Sequence, residues 1–433
     1  MRGRTLKSVT VFRRRPGAVP LSLAQARDRS IRRKVGAAWA LLYFNTLTFV
    51  PGSILAIPSF LGTGLAQAAL PLALLVALTV NPRVRLRPNV FLCLVCLLLV
   101  DTVITSTSAH DLGTVYLTFR FAEFVAALWL LTPWWGREDM LLLRCHLRCL
   151  LVALGSVLLG LLLDPPHAFA AQNTASAEGR LSGVIWPIVP TQVAQYAAVA
   201  AGLMVVLWLA RQLTGRLTLA GVTAVVAILL LTHTRTALAG LVAGILVAGL
   251  SLFTVNARVR KFFAAGAVAV SIAIISAAGV VTTWLARGEN AQGLATLSGR
   301  TNFWALVLDQ PRTRFQEAFG FGLSTTGIKG LPIDSNWLAA YMQQGLFGVA
   351  VCAMMLAWLF TTAFFQPRGV RRALALFLLT YCTLASYTEV GFTDASTYLL
   401  HLTVAASLIA PLTRRGLSAG HDVRAGAKPV RAA

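Results

Sequence analysis

The sequence predicts an all-α polytopic membrane protein with about 12 transmembrane helices and one long extracytoplasmic loop. Three observations carry this reading. Of 433 residues, 57% are hydrophobic and only 12% are charged, whereas soluble domains carry roughly 25% charged residues. So few charges cannot clothe a soluble body of this length, which excludes soluble enzymes and disordered or fibrous chains. Apolar runs of about 20 residues, the length that crosses a hydrocarbon core about 30 Å thick, recur along the chain. Basic residues fall on alternate connections between those runs.

Taken in order, the runs place spans at 37–57, 59–80, 89–108, 115–133, 141–163 and 186–210. Six more follow at 217–232, 234–254, 262–284, 335–366, 370–388 and 395–412. Residues 1–36 form a basic cytoplasmic segment that includes Arg13, Arg14, Arg15, Arg32, Arg33 and Lys34. With many spans to follow, it leads into an uncleaved first helix and is not read as a signal peptide. Helices 1–9 then occupy 37–284, the extracytoplasmic loop 285–334, and helices 10–12 occupy 335–412. The tail 413–433, rich in Ala, Gly and Arg, reads as cytoplasmic and disordered.

An even number of spans puts both termini on one side. Placed in the cytoplasm, the termini and inner connections together hold 30 of the 38 Lys and Arg residues. Their acidic residues are Asp28, Glu138, Asp139 and Asp422 alone. The net charge of +23 is thus an orientation signal for a multi-pass protein of the cytoplasmic (inner) membrane. It is not the footprint of a nucleic acid. No internal repeat of the kind found in many transporters is visible.

Eight basic residues remain, and the orientation rule does not account for them: Arg120 within the fourth span, then Arg180, Arg235, Arg287, Arg300, Arg312, Arg314 and Lys329 at the outer face. Arg180 precedes the sixth span, Arg235 lies between the seventh and eighth, and Arg300 is in the long loop. Arginine suits phosphate because its planar fork donates paired hydrogen bonds and stays charged. Convergence on a lipid-linked pyrophosphate and pairing in structural bridges both remain open on charge alone. In the loop, Phe303, Trp304, Leu306 and Val307 precede Pro311 at near-helical spacing, which predicts an interfacial amphipathic helix.

The other singled-out residues carry plainer expectations. Cys93 and Cys96 form a CxxC inside the apolar run VFLCLVCLLLV, so packing or lipid contact outweighs zinc or redox chemistry. Asp101 is expected to bridge to Arg120, because an unpaired charge within a span is costly. Gly240 and Gly244 form a GxxxG suited to close helix packing. Trp134, Trp135 and Tyr116 are expected to be interface anchors. His110, His167 and His233 are scattered with no acidic partner motif, so no metal site and no cofactor is expected.

Four blocks resemble one family, the bacterial O-antigen ligases and Wzy-type O-antigen or exopolysaccharide polymerases. GRLSGVIWPIVPTQVAQYAAV (179–199) is similar to the family's Arg-x-x-Gly segment leading through prolines into a span. THTRTALAGLVAGIL (232–246) resembles its short outer turn in which an Arg opens a helix. LSGRTNFWALVLD (297–309) followed by AFGFG (318–322) resembles its Gly-Arg-x-x-x-Trp segment and Gly-aromatic-Gly ending. DSNWLAAYMQQGLFG (334–348) is similar to a block that usually starts His-Asn and ends Gly-Leu-x-Gly. Lipopolysaccharide ligases typically carry His where this chain has Asp334, whereas polymerase-like members often carry an acid. The resemblance therefore implies a polymerase.

What the resemblance implies is a GT-C-like, metal-independent glycosyltransferase acting on polyprenyl-diphosphate-linked glycan donor and acceptor. An acceptor hydroxyl attacks the anomeric carbon with inversion and the lipid pyrophosphate departs. Such a step needs a base and cations. Asp334 is the candidate base, with Arg300 catalytic beside it. Arg180, Arg235 and Arg300 are the candidate pyrophosphate clamp. His233, Glu389 and Asp394 are candidates for the acceptor site or a reserve acid/base, and a structural role for His233 stays open. The expected partners are the glycan substrates, the bilayer and the flippase and chain-length proteins of such a pathway. Two rival readings are a ligase that moves finished glycan to a lipid or protein acceptor, and a precursor transporter or flippase.

Overall fold

A computed structural model describes residues 23–47, 57–109, 111–169, 179–254, 256–269, 300–324 and 333–412, and every regular element among them is helical. The helices are α1 (Leu23–Asn45), α2 (Ser59–Val80), α3 (Val90–Ala109), α4 (Leu112–Leu131), α5 (Leu141–Leu163) and the short α6 (Pro165–Ala168). They continue with α7 (Pro190–Leu209), α8 (Gly215–Leu231), α9 (Arg235–Phe253), α10 (Arg300–Leu308) and α11 (Arg314–Phe319). The last three are α12 (Asn336–Phe365), α13 (Val370–Ala385) and α14 (Thr397–Ile409). Residues 257–269 are helical as well.

Seven of the described helices are long and apolar enough to cross a membrane: α2, α3, α4, α5, α7, α9 and α12. Apolar stretches in α8 and α14 are shorter. The chain is therefore a polytopic helical membrane protein. The later part of the expected 262–284 span, residues 285–299 and 325–332 of the loop, His110 and the tail 413–433 lie outside the described residues.

The first element differs from its expectation. Its helix begins at Leu23, inside the segment assigned to a basic leader, and ends at Asn45. Charge pairing explains the extension. Arg32 reaches Asp28 one turn back and Asp139 of the α4–α5 connection, both at 2.6 Å, and Arg137 meets Asp139 at 3.0 Å. The basic turn is thereby fastened to the neighbouring connection. Trp134 and Trp135 also depart from expectation. They are buried, Trp135 against Phe91, and do not stand at a lipid interface.

The α7 helix forms the centre of the bundle, packed by α5, α8, α9 and α13 and buried along almost its whole length. Its small residues (Ala194, Ala197, Ala198, Ala201, Gly202) let neighbours approach closely. The expected GxxxG on α9 does the same against α13. A Cβ on Gly240 would lie 2.8 Å from Tyr381 Cδ2, and one on Gly244 would lie 2.7 Å from Phe377 Cδ2. Gly202 of α7 also leaves no room for a Cβ against that ring, so Phe377 packs closely on two glycines. Gly202→Ala is expected to cost about 1–3 kcal/mol by overpacking, read as a lower melting temperature of the detergent-purified protein. An unchanged melting temperature would show that the ring can move aside.

A polar chain crosses the same core. Trp39 Nε1 donates to His146 Nδ1 (3.3 Å), His146 Nε2 meets His401 Nδ1 (2.7 Å), and His401 Nε2 faces the Gln195 amide (3.1 Å). An indole N–H can only donate, so His146 must accept at Nδ1 and carry its proton on Nε2 towards His401.

The helix α12 is broken within its length. Gly345 has φ 61° and ψ −161°, and a Cβ there would strike the backbone of Ala318 and Phe319. Glycine is the residue that tolerates both conditions. The AFGFG segment docks at this break: Phe321 N–H donates to Met342 O (2.8 Å) and Gly322 N–H to Gln343 O (2.9 Å). Gly320, at φ 79°, allows the chain to turn against that backbone. The two glycine-bearing motifs are halves of one joint.

Candidate functional site

The end of the bundle opposite the Arg32–Asp139 tether gathers the residues singled out in sequence. Arg180, in the connection before α7, donates from Nε to Thr232 O (2.9 Å) and from a terminal nitrogen to Thr234 Oγ1 (3.0 Å). Leu181 N–H donates to Leu231 O at 3.0 Å, so the first two family-like blocks are held together by backbone and side chain. The α8–α9 turn is itself unusual. His233 has φ 50°, a left-handed conformation that a non-glycine residue adopts only when its surroundings hold it there. Arg235 follows as the first residue of α9, where the helix dipole disfavours a cation and favours an anion.

Arg300, the first residue of α10, meets Asp334 with Nε to Oδ2 at 3.5 Å. The α10 helix does form where an interfacial amphipathic one is expected, but its apolar residues do not gather on one face, and its buried Val307 packs on Met342 of α12. Arg312, one of the eight basic residues that the orientation rule leaves over, has a structural role. It donates to Val307 O (3.1 Å) and lies 4.0 Å from the centre of the Tyr341 ring, binding the α10–α11 connection to α12.

The connection between α13 and α14 supplies the second carboxylate. Asn336, fully buried at the start of α12, accepts from Gly391 N–H (3.2 Å) and Phe392 N–H (2.8 Å). Its own N–H donates to Ser386 O at 2.9 Å. Thr388 Oγ1 donates to Thr236 Oγ1 at 2.9 Å, which ties this connection to the turn bearing Arg235. So anchored, Glu389 interacts electrostatically with Arg300, Asp334 and Arg180 together. Burial pushes its carboxyl up to about 7, with Asp334 adding to the rise and the two arginines opposing it. Burial likewise pulls the Arg180 guanidinium below its ordinary value, and Glu389 works against that. Two arginines and two carboxylates thus share one site (Arg180, Arg300, Asp334 and Glu389), drawn from three connections and the start of α10.

Asp394 falls elsewhere. Burial raises its carboxyl above the usual range, and Ser396 and Arg120 oppose that rise. Arg120 in turn donates to Asn45 Oδ1 at 2.5 Å and stands 5.9 Å from the Tyr116 ring centre. The expected Asp101–Arg120 bridge therefore does not form. Asp101 is 1% exposed, and neither carboxylate oxygen has a hydrogen-bond partner among the described residues.

Sequence reading passed over Asn336, Thr232 and Thr234. Asn336 stood in plain view in the DSNW block, but its role as the anchor of the Glu389 connection needs the fold. His167 pairs with Asp164 at 2.7 Å. Among the described residues no three of His, Cys, Asp and Glu come together as metal ligands. All six cysteines are free.

The chain matches none of the protein-family models and none of the curated proteins compared.

Proposed function

We propose that this protein is an inverting, metal-independent membrane glycosyltransferase. In this reading it polymerises polyprenyl-diphosphate-linked oligosaccharide repeat units into a surface polysaccharide at the outer face of the cytoplasmic membrane. The supporting observation is the convergence of Arg180 and Arg300 with Asp334 and Glu389 at one bundle end. The proposal takes the 12-span topology with both termini cytoplasmic, which puts that end outside.

The residues divide the work by access and charge. Asp334, with 46% of its side chain exposed, is the carboxylate an acceptor hydroxyl meets first. It takes the hydroxyl proton as the oxygen attacks the anomeric carbon and the bond to the pyrophosphate breaks. Arg180, Arg300 and Arg235 hold the departing diphosphate, whose negative charge grows in the transition state. A low-dielectric membrane edge strengthens those contacts.

Glu389 sets the charge of the clamp. Protonated, it leaves two arginines facing one carboxylate; ionised, it leaves them facing two. A bound diphosphate repels ionised Glu389, so binding draws a proton onto it and weakens as pH rises through about 7. Polyprenyl diphosphate affinity is expected to fall about tenfold between pH 6 and pH 8 relative to Glu389→Gln. Glu389→Gln should keep the low-pH affinity throughout. Titration calorimetry on the two proteins checks this, and parallel pH profiles would remove Glu389 from the clamp.

The function itself is tested by surface glycan from a deletion strain. Loss of long chains with single repeat units retained supports the polymerase. Full-length chains stranded on polyprenyl lipid would instead make the protein a ligase. Precursor trapped on the inner leaflet would make it a transporter.

A further inference from the structure

A second feature lies at the opposite end of the bundle and is independent of the proposed transferase. Between α1 and α5 runs a groove of about 880 Å³. Its mouth carries Arg29 and Arg33 from α1 and Arg144 and Arg148 from α5, all exposed. Each pair has i, i+4 spacing, so each lies on a single helix face. Arg32, between the first two, is neutralised by Asp28 and Asp139. No acid among the described residues lies in ion-pair range of the other four. Four uncompensated guanidinium groups on two facing helices are a site for phosphate.

Beyond this mouth the groove is apolar, walled by Ala40, Phe44, Val152 and Ala153 and closed at its far end by Trp186 and Ile188. From Arg29 to Phe44 the helix runs about 22 Å, enough for one acyl chain in a leaflet about 15 Å deep. A free anion would satisfy the mouth and leave this wall unused. The chain's own termini are poor occupants. Residues 1–22 carry Arg2, Arg4, Lys7, Arg13, Arg14 and Arg15 without an acid, and 413–433 carry five basic residues against Asp422.

We propose that the α1–α5 groove binds one anionic phospholipid, its phosphate on Arg29, Arg33, Arg144 and Arg148 and an acyl chain along Ala40, Phe44 and Val152. Basic pockets between membrane helices recognise anionic headgroups in this way, and the apolar wall adds the chain's burial.

Native mass spectrometry of the full-length detergent-purified protein tests the site with phosphatidylglycerol and phosphatidylcholine of identical chains. Phosphatidylglycerol is expected to bind at least about tenfold more tightly, and R29Q/R33Q/R144Q/R148Q to abolish that preference. Ala40→Trp, which fills the groove from an exposed position, should lower phosphatidylglycerol binding while the arginines remain. Equal binding of the two lipids, a preference that survives the quadruple variant, or undiminished binding by Ala40→Trp would each overturn the proposal. So would displacement of phosphatidylglycerol by inorganic phosphate, which would reduce the site to an anion pocket. Should the quadruple variant fail to fold, Ala40→Trp decides alone.

Discussion

Arg300→Ala is expected to reduce glycan chain extension by about 100-fold or more while the protein still accumulates in the membrane. The size follows from the task assigned to this residue. Removing one preorganised donor from a developing anion costs about 2.7–4 kcal/mol of transition-state stabilisation. Arg300 has 28% of its side chain exposed and already faces Asp334, so no large reorganisation is needed to present it. Losing it also removes a cation that offsets the mutual repulsion of Asp334 and Glu389. Arg300→Lys retains charge without the fork and should recover only part of the activity. Polymer length on gels, normalised to membrane protein, gives the answer, and wild-type length in Arg300→Ala would end the clamp assignment.

The second large effect is expected at Asp334. Asp334→Asn preserves size and hydrogen bonding but cannot accept the hydroxyl proton, and loss of a general base costs about 10²–10⁴-fold. A structural role predicts a different outcome. If Asp334 served only to hold Arg300, Asp334→Asn would weaken donor binding and leave turnover at saturating donor close to normal. The base assignment requires turnover itself to collapse with donor binding retained, so single-turnover rates at saturating lipid-linked donor separate the two. His or Glu at this position should restore activity in part, since either can take up a proton at neutral pH. No restoration by either would count against the role.

Much of the frame is legible in the sequence because the bilayer imposes simple rules. The 141–163 span coincides with α5, and the 234–254 span lies within a residue of α9 at each end. Period and length suffice there, since each helix meets lipid or like helices along its whole run. At α1 the same rule misplaces the element. Hydropathy starts the span where charge ends, but charges fixed by partners across the bundle extend the helix to Leu23. At α12 a single 30-residue apolar run conceals the break at Gly345, which exists because a separate segment, 318–322, needs backbone there to pair with. Trp134 and Trp135 fit the pattern of interface aromatics, yet the connection that carries them folds inward.

The candidate site divides along the same line. Charge marked Arg180, Arg235 and Arg300, because basic residues on the face expected to be depleted of them need a reason, whereas Asp334 was marked only by its place in a block that resembles a known family. Residue chemistry gave Glu389 and Asp394 equal standing, five residues apart on one connection. Only the tertiary structure separates them. Asn336 holds the Gly391–Phe392 backbone, and Glu389 feels the charges of Arg180 and Arg300, whereas Asp394 feels that of Arg120. The unformed Asp101–Arg120 bridge is the converse case: complementary charges in adjacent spans predicted a pair, and Asn45, from a third helix, claims the guanidinium first. Sequence thus determined that the chain is a polytopic helical membrane protein and which charges the orientation rule leaves over, since both follow from local composition and the bilayer. Which charges meet was decided by the fold, because meeting depends on backbone contacts between segments distant along the chain.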